Sequence, residues 1–413
     1  MYSATEMEEL KTRNRHGIRE LLRISYIVGV NLTTQTSYKK RLLLINVLLI
    51  IASSIGLYPH WILIQKAEGN IPLIAETATT ALQTTTIIVR MVYYLFAQHK
   101  FQNLLHKAET HEILQSCEIF KTDMPITIQL KQEVNAIMST AWQEARWQLL
   151  LCISCTCCIL SNYFFCALLK NLYHQIMGTP DYVYILPFTG YPMFLDKGVF
   201  CYAMDMFFGA CCLIVAGMGG VALYCPFLIL CKNACGLVRS LSMLLERSTA
   251  PLVPKHRRDE YLRYCVIQHQ RTLDFINDVN QLFKHISLSQ FLHSLVIYGL
   301  VLYEMNFGLE SNKVIFVRMI MYICAALTGD CMYYINGQQL ATELETIPVA
   351  CYRCEWYNES EEFKKTLQMI IMRSNKSFFF EISWFGIMSL TTLLGIARAS
   401  FSYFVLLQDI EEK

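Results

Sequence analysis

Seven apolar stretches, each long enough to cross a lipid bilayer, constrain this chain more than any other feature. A crossing helix takes about 20 mostly apolar residues, at roughly 1.5 Å per residue across about 30 Å of hydrocarbon. The stretches are 42–64, 74–96, 147–169, 198–231, 286–309, 314–337 and 378–408. The first and third contain no Lys, Arg, Asp or Glu. The others carry at most two: Glu76 and Arg90, Asp205, Glu304, Arg318 and Asp330, and Glu381 and Arg398. The 41 residues before the first stretch are polar and charged, so that stretch is expected to serve as its own insertion signal.

Composition agrees. Charged residues make up 16% of the 413 and AVILMFWYC 54%, against about 25% charged in a typical soluble chain. A disordered chain, a basic nucleic-acid binder and a disulfide-stapled secreted domain are all excluded.

Lys and Arg in the connecting segments set the expected orientation. Residues 1–41, 97–145, 232–285 and 338–377 fall on one side and hold 26 of the 35 basic residues, whereas the opposite side holds five. The expected fold is therefore an all-α membrane protein with seven transmembrane helices and a cytoplasmic N-terminus. A G-protein-coupled receptor has seven helices with the opposite orientation. It would also carry an Asp-Arg-Tyr after the third span and an Asn-Pro-x-x-Tyr in the seventh, and neither is present.

The cytoplasmic segments read as helical. Leu262, Cys265, Val266, Leu273, Ile276, Val279, Phe283 and Ile286 recur at helical spacing, with His269 in the one gap, so an amphipathic helix should run into the fifth span. A second helix is expected to start at Asn358, capped by its side chain in a box with Glu361, with Phe363, Leu367, Ile370 and Ile371 on its apolar face. These faces either pack within the subunit or form an assembly domain. The segment Ile18 to Val30, where Arg19 and Arg23 alternate with apolar residues, reads as an interfacial or re-entrant helix. The expected organisation is 1–41 as cytoplasmic N-terminus, 42–231 as spans one to four, 232–285 as cytoplasmic extension, 286–337 as spans five and six, 338–377 as cytoplasmic assembly region, and 378–413 as the last helix and an extracellular tail.

Four ordered motifs close the chain: Gly337-Gln-Gln-Leu340, then Ala350-Cys-Tyr352-x-Cys354-x-Trp356-Tyr357, then Met372-Arg373, then Ser402-Tyr403-Phe404-x-x-Leu407. With the inside N-terminus, they resemble the insect odorant receptor family. Ser377 stands where that family often has Pro. The resemblance implies an odorant-gated, non-selective cation channel of four subunits in the plasma membrane of a sensory neuron. It implies a tuned subunit, since the longer insert of the co-receptor between spans four and five is missing, assembling with a shared co-receptor or with copies of itself. It also implies a small, volatile, mostly apolar ligand. A gustatory-type receptor channel would share the last-helix pattern.

Candidate residues follow. Ser402, Leu406 and Ile410 share one helix face, and Leu406 lies near the family's gate position, so Leu406 and Ile410 are expected to close the pore by dewetting. Gln408 and Asp409, with Ser402, are expected at its mouth, where an acid favours cations. The family's pocket lies in the outer half of the membrane among spans two, three, four and six. Depth and spacing then nominate Thr79, Leu82 and Thr86, Ile159 and Tyr163, Tyr202 and Met206, and Met319, Ile320 and Ile323. Trp356, Tyr357, Phe363, Leu367 and Ile370 are the expected assembly residues. Burying about 200–300 Å² of ligand would yield roughly 5–8 kcal/mol before association losses.

Cys152, Cys155, Cys157 and Cys158 fall inside a membrane helix, and Cys351-x-x-Cys354 lacks a second ligand pair, so no metal is expected. No nucleophile–base pair or phosphate loop is present, and neither enzymatic activity nor a cofactor nor nucleic-acid binding is expected.

Overall fold

A computed structural model describes residues 17–32, 39–67, 69–110, 125–178, 186, 199–311 and 313–411. Among the described residues the secondary structure is helical apart from one small hairpin. In order, the helices are α1 (Lys39–Lys66), α2 (Ile71–Phe96), α3 (Gln98–Thr110), α4 (Pro125–Met177), α5 (Val199–Ile214), α6 (Gly220–Glu246), α7 (Arg258–Ser311), α8 (Lys313–Leu344), α9 (Thr346–Arg353), α10 (Glu361–Ser374) and α11 (Leu390–Glu411). A π-turn, Val215–Gly219, joins α5 to α6 in one continuous span.

Seven of these units match the seven apolar stretches: α1, α2, α4, α5–α6, α7, α8 and α11. Five are long and apolar enough to cross a membrane by length and composition alone. The Thr-rich α2 falls short in hydropathy, yet its hydroxyls are satisfied within the helix. Thr77, Thr84, Thr85 and Thr86 each donate to the carbonyl four residues back at 2.7–2.9 Å, which removes most of the cost of placing them in lipid. The outer face of α1 exposes Leu44, Leu48, Ile51, Tyr58 and Trp61, an apolar surface suited to acyl chains.

α6 is buried on nearly every side, as a helix that is apolar all round must be. α4 and α7 hold 53 and 54 residues and so run about 80 Å. They project far beyond a bilayer at the end rich in basic residues. There α9 and α10 pack against α6 and α7, and ion pairs tie the layers together. Lys232, almost fully buried, donates to Glu144 and to Gln339, both at 2.7 Å. Arg239 joins Glu144 at 3.0 Å to Glu343 at 2.7 Å. Burial alone would push the Glu144 carboxyl up, but the hydrogen bonds from Lys232 and Arg239 outweigh it and hold the carboxyl below its usual value. Arg258 pairs with Glu359 and donates to the Thr249 carbonyl at 2.8 Å.

Two expectations are corrected. The last helix begins at Leu390, not Phe378. Residues Glu381–Ile382 and Gly386–Ile387 form a two-stranded hairpin. Its Phe380 is buried against Phe227 and Phe378, and the Glu381 amide donates to Asn280 at 2.9 Å. Hydropathy reads those aromatics as membrane span, but they fill the protein core. The cap of α10 is Ser360, which accepts from the Phe363 amide at 3.1 Å; Asn358 instead ends a 3₁₀ turn that carries the chain to it. The segment 17–30, expected as an interfacial or re-entrant helix, packs on the bundle by one face and leaves Arg23 and Ile27 exposed. It is a helical turn followed by a 3₁₀ helix, Arg23–Val28, with Ile18, Leu22 and Val28 fully buried and Ser25 donating to the Ala222 carbonyl of α6. Gly29 closes it at φ +70°, where a Cβ would sit 2.4 Å from the Leu42 carbonyl and the Asn46 amide; only glycine satisfies both constraints.

Candidate functional site

A partly open cavity of about 90 Å³ lies in the bundle, lined by α2, α4, the π-turn and start of α6, α7 and α8. Thr80 and Gln83 of α2 line it, and α4 supplies Cys152, Thr156, Ile159, Leu160 and Tyr163. The π-turn region presents Ala216, Gly217 and Gly220, whose small or absent side chains leave the space open. A π-turn of this kind widens a helix locally and is frequent at functional sites. Gly217 also allows Leu160 to approach, since a Cβ there would meet its Cδ2 at 2.5 Å. Tyr322, Ala325 and Asp330 come from α8.

The deep wall belongs to α7: Gln290, His293, Ser294, Ile297 and Tyr298. Asp330 is fully buried and accepts from Ser294 at 2.9 Å and also from Gln290 and Tyr298. Tyr224 donates to Gln290 at 3.3 Å. Gln83 donates to the Ala216 carbonyl at 3.0 Å, pinning the π-turn to α2. Toward the opposite end from the basic residues, the Arg318 guanidinium stacks over Tyr163, 5.0 Å from the ring centroid, and pairs with Glu76 at 3.3 Å.

Of the ten nominated pocket residues, the cavity takes in Ile159 and Tyr163. The remaining eight lie elsewhere. Thr79 donates to the buried Glu304. Leu82 and Ile323 pack against the core, and the Thr86 hydroxyl turns back to the Leu82 carbonyl. Tyr202 accepts from Asn171 at 2.7 Å. Met206 is half-buried, Met319 fully buried, and Ile320 exposed. The cavity shares the level of the nominated positions on α2 and α4 but draws on the π-turn in place of Tyr202 and Met206, and on α7, which was not among the nominated spans. One signal pointed to α7: Gln290, His293 and Ser294 form a polar stripe at helical spacing in an otherwise apolar span, and polar residues at that depth are expensive unless used.

On α11, Ile396 and Ser400 are buried, and the Ser400 hydroxyl donates to the Leu295 carbonyl of α7 at 3.1 Å. Gly299, one turn on, admits the Tyr403 Cβ; a methyl there would lie 3.2 Å from it. Arg398, Ser402 and Leu406 are exposed along one stripe, with Gln408 half-buried beyond it. The side chains of Asp409 and Ile410 lie outside the described residues. Phe363, Leu367 and Ile370 are buried within this subunit, whereas Tyr357 is exposed and Trp356 half-buried. Among the described residues no three His, Cys, Asp or Glu side chains converge as metal ligands.

Comparison with known proteins gives a consistent result. A family profile described as "7tm Odorant receptor" matches residues 70–401. Odorant receptor 63a of Drosophila melanogaster is 41% identical over the full length of both chains. Odorant receptor 67b of the same species is 25% identical, covering 99% of this chain and 98% of its own. The odorant receptor coreceptor of Anopheles gambiae is 24% identical over 150 residues, 36% of this chain and 31% of its own. Among solved structures, the olfactory receptor OR5 of Machilis hrabei in complex with eugenol superposes with a TM-score of 0.74 at 14% identity, over 97% of this chain and 99% of the other. A membrane bundle of seven helices, an internal cavity and an odorant-receptor match over four fifths of its length identify this chain as a member of the insect odorant receptor family.

Proposed function

We propose that the chain is the odorant-binding subunit of a ligand-gated, non-selective cation channel, that the cavity between α2, α4, α6, α7 and α8 is its ligand site, and that α11 lines the pore. The observation that supports this most is the placement of α7. Ser294 and Tyr298 of α7 face the cavity, while Leu295 and Gly299, one residue along in each case, contact Ser400 and Tyr403 of α11. One helix thus touches both the ligand space and the proposed pore helix within two turns.

The size of the cavity suggests how this contact transmits binding. An apolar cavity of about 150 Å³ accepts benzene, so a ligand larger than a few heavy atoms must push these walls apart. A ligand that binds better to the widened form shifts the population toward it. Movement of α7 carries α11 with it through the Ser400 and Tyr403 contacts. α11 rests on its own chain along one stripe only, which leaves Ser402 and Leu406 free to meet the same residues of neighbouring subunits around an axis. The basic end then faces the cytoplasm. The likeness of one stretch to a co-receptor supports assembly with such a subunit, and the exposed Val349, Tyr352, Tyr357, Met369 and Met372 at that end offer an apolar surface for it.

Odour-evoked current recorded with and without a co-receptor tests the proposal. Current blocked by Ile159→Trp, which fills the cavity, supports the site. Full current in that variant at normal surface density refutes the site, and an extracellular N-terminal epitope refutes the orientation.

A further inference from the structure

His293 is the cavity-lining residue whose hydrogen-bonding capacity is unused. Its imidazole is about nine-tenths buried, and neither Nδ1 nor Nε2 has a partner among the described residues. The other polar groups on that wall are committed. Gln290, Ser294 and Tyr298 donate to Asp330, Tyr224 donates to Gln290, and Gln83 donates to the Ala216 carbonyl. Asp330, accepting from three donors, is not an open acceptor for a cationic ligand. A buried group left without a partner is costly, and the cavity is the space its partner would enter.

We infer that His293 is the polar anchor of the ligand site, and that the chain is tuned to small neutral volatiles bearing one hydrogen-bonding oxygen, as in alcohols and ketones. This rests on the reading of the cavity as the ligand site. A neutral imidazole carries one N–H and one bare nitrogen, so it donates to a carbonyl oxygen or accepts from a hydroxyl. The rest of the lining, Ile159, Leu160, Ala325 and the rings of Tyr163 and Tyr322, is suited to the carbon chain. An alkane of the same size would fill the space and leave the imidazole unpaired, and such mismatches discriminate strongly between ligands.

Three ligands of seven heavy atoms make the test: hexanol, butyl methyl ketone and heptane. Each is applied to the full-length chain co-expressed with a co-receptor, with surface density measured for every variant. The wild type is expected to respond to at least one oxygenated member at about tenfold lower concentration than to heptane, the scale of one well-placed hydrogen bond. His293→Phe should raise the half-maximal concentration of the oxygenated ligand about tenfold and leave that of heptane unchanged. His293→Gln, which keeps a donor and an acceptor, should restore part of the preference. A preference that survives His293→Phe, or a wild type that answers heptane as readily as the oxygenated ligands or answers none of the three, overturns the inference. Ile159→Trp separates the two levels of argument. If it abolishes every response while His293→Phe leaves selectivity intact, the cavity stands and the anchor falls. If it changes nothing, the location of the site itself is wrong.

Discussion

The buried ammonium of Lys232 offers a severe test of the ionic layer at the basic end. Its Nζ lies 2.7 Å from both Glu144 and Gln339, and the side chain is about 2% exposed. Glu144→Gln keeps the shape but removes the negative charge. Arg239 loses one partner at 3.0 Å but retains Glu343 at 2.7 Å, so the damage falls on Lys232. Stranding one member of a buried pair costs about 3–5 kcal/mol. Glu144 is about a third exposed, and water reaching it should reduce this to roughly 2–3 kcal/mol. Adding Lys232→Met removes the stranded charge, and the double variant should recover to within about 1 kcal/mol of wild type, since apolar replacement of a buried pair is often close to neutral. Fluorescence-detected size-exclusion chromatography after a heat step, on tagged protein in detergent, measures the order of stability. The expected order is wild type, double variant, single variant. A double variant that melts no higher than Glu144→Gln, or a single variant that melts with the wild type, would refute the assignment of Lys232 as a cation dependent on this carboxylate.

Three further outcomes are expected. Burial, reinforced by the Arg373 charge, lowers the pKa of His269 from 6.5 to about 4. The unfolded state therefore binds more protons across that interval, so the contribution is complete above pH 6.5 and is lost as pH falls toward 4. At pH 5 the loss is about 2 kcal/mol, and it should disappear in His269→Gln when melting is followed from pH 7 to pH 5. Gly217→Ala should push the flexible end of Leu160 into the cavity, weakening responses to the larger members of a homologous ligand series before the smaller ones; a uniform effect across the series would contradict this. Arg398 shares its stripe with Ser402 and Leu406 and lies about 12 Å along the helix from Leu406. If that stripe faces the pore, Arg398→Ala raises single-channel cation conductance, most at low ionic strength; unchanged conductance would show that the stripe faces lipid.

Much of this architecture was legible in the sequence because the bilayer imposes a length and a polarity on every crossing helix. Hydropathy located all seven spans, and the 3–4 spacing from Leu262 to Ile286 anticipated the inward extension of α7. The rule failed where apolar side chains serve the protein core instead of lipid. Phe378 and Phe380 count toward a span, yet they lie just before the hairpin that precedes α11 and pack on one another against the core. Ile159 and Tyr163 share a wall of the cavity because a four-residue spacing on one helix survives folding unchanged. The α7 wall was missed because convergence of five helices on one space is a tertiary fact, set by the widening at Val215–Gly219 and by the network around Asp330. Phe363, Leu367 and Ile370 were correctly placed on one face, but a face pattern says nothing about which surface covers it, and here it is the same subunit.

The unbroken length of α7 has a mechanical corollary. A helix of about 80 Å held at its basic end by the layer around α9 and α10 acts as a lever, and a tilt of about 2° there displaces a point 60 Å away by about 2 Å. A shift of that size is comparable to one carbon added to a ligand. Small molecules differing by a single methylene are therefore expected to differ in how far they shift the population toward the widened form.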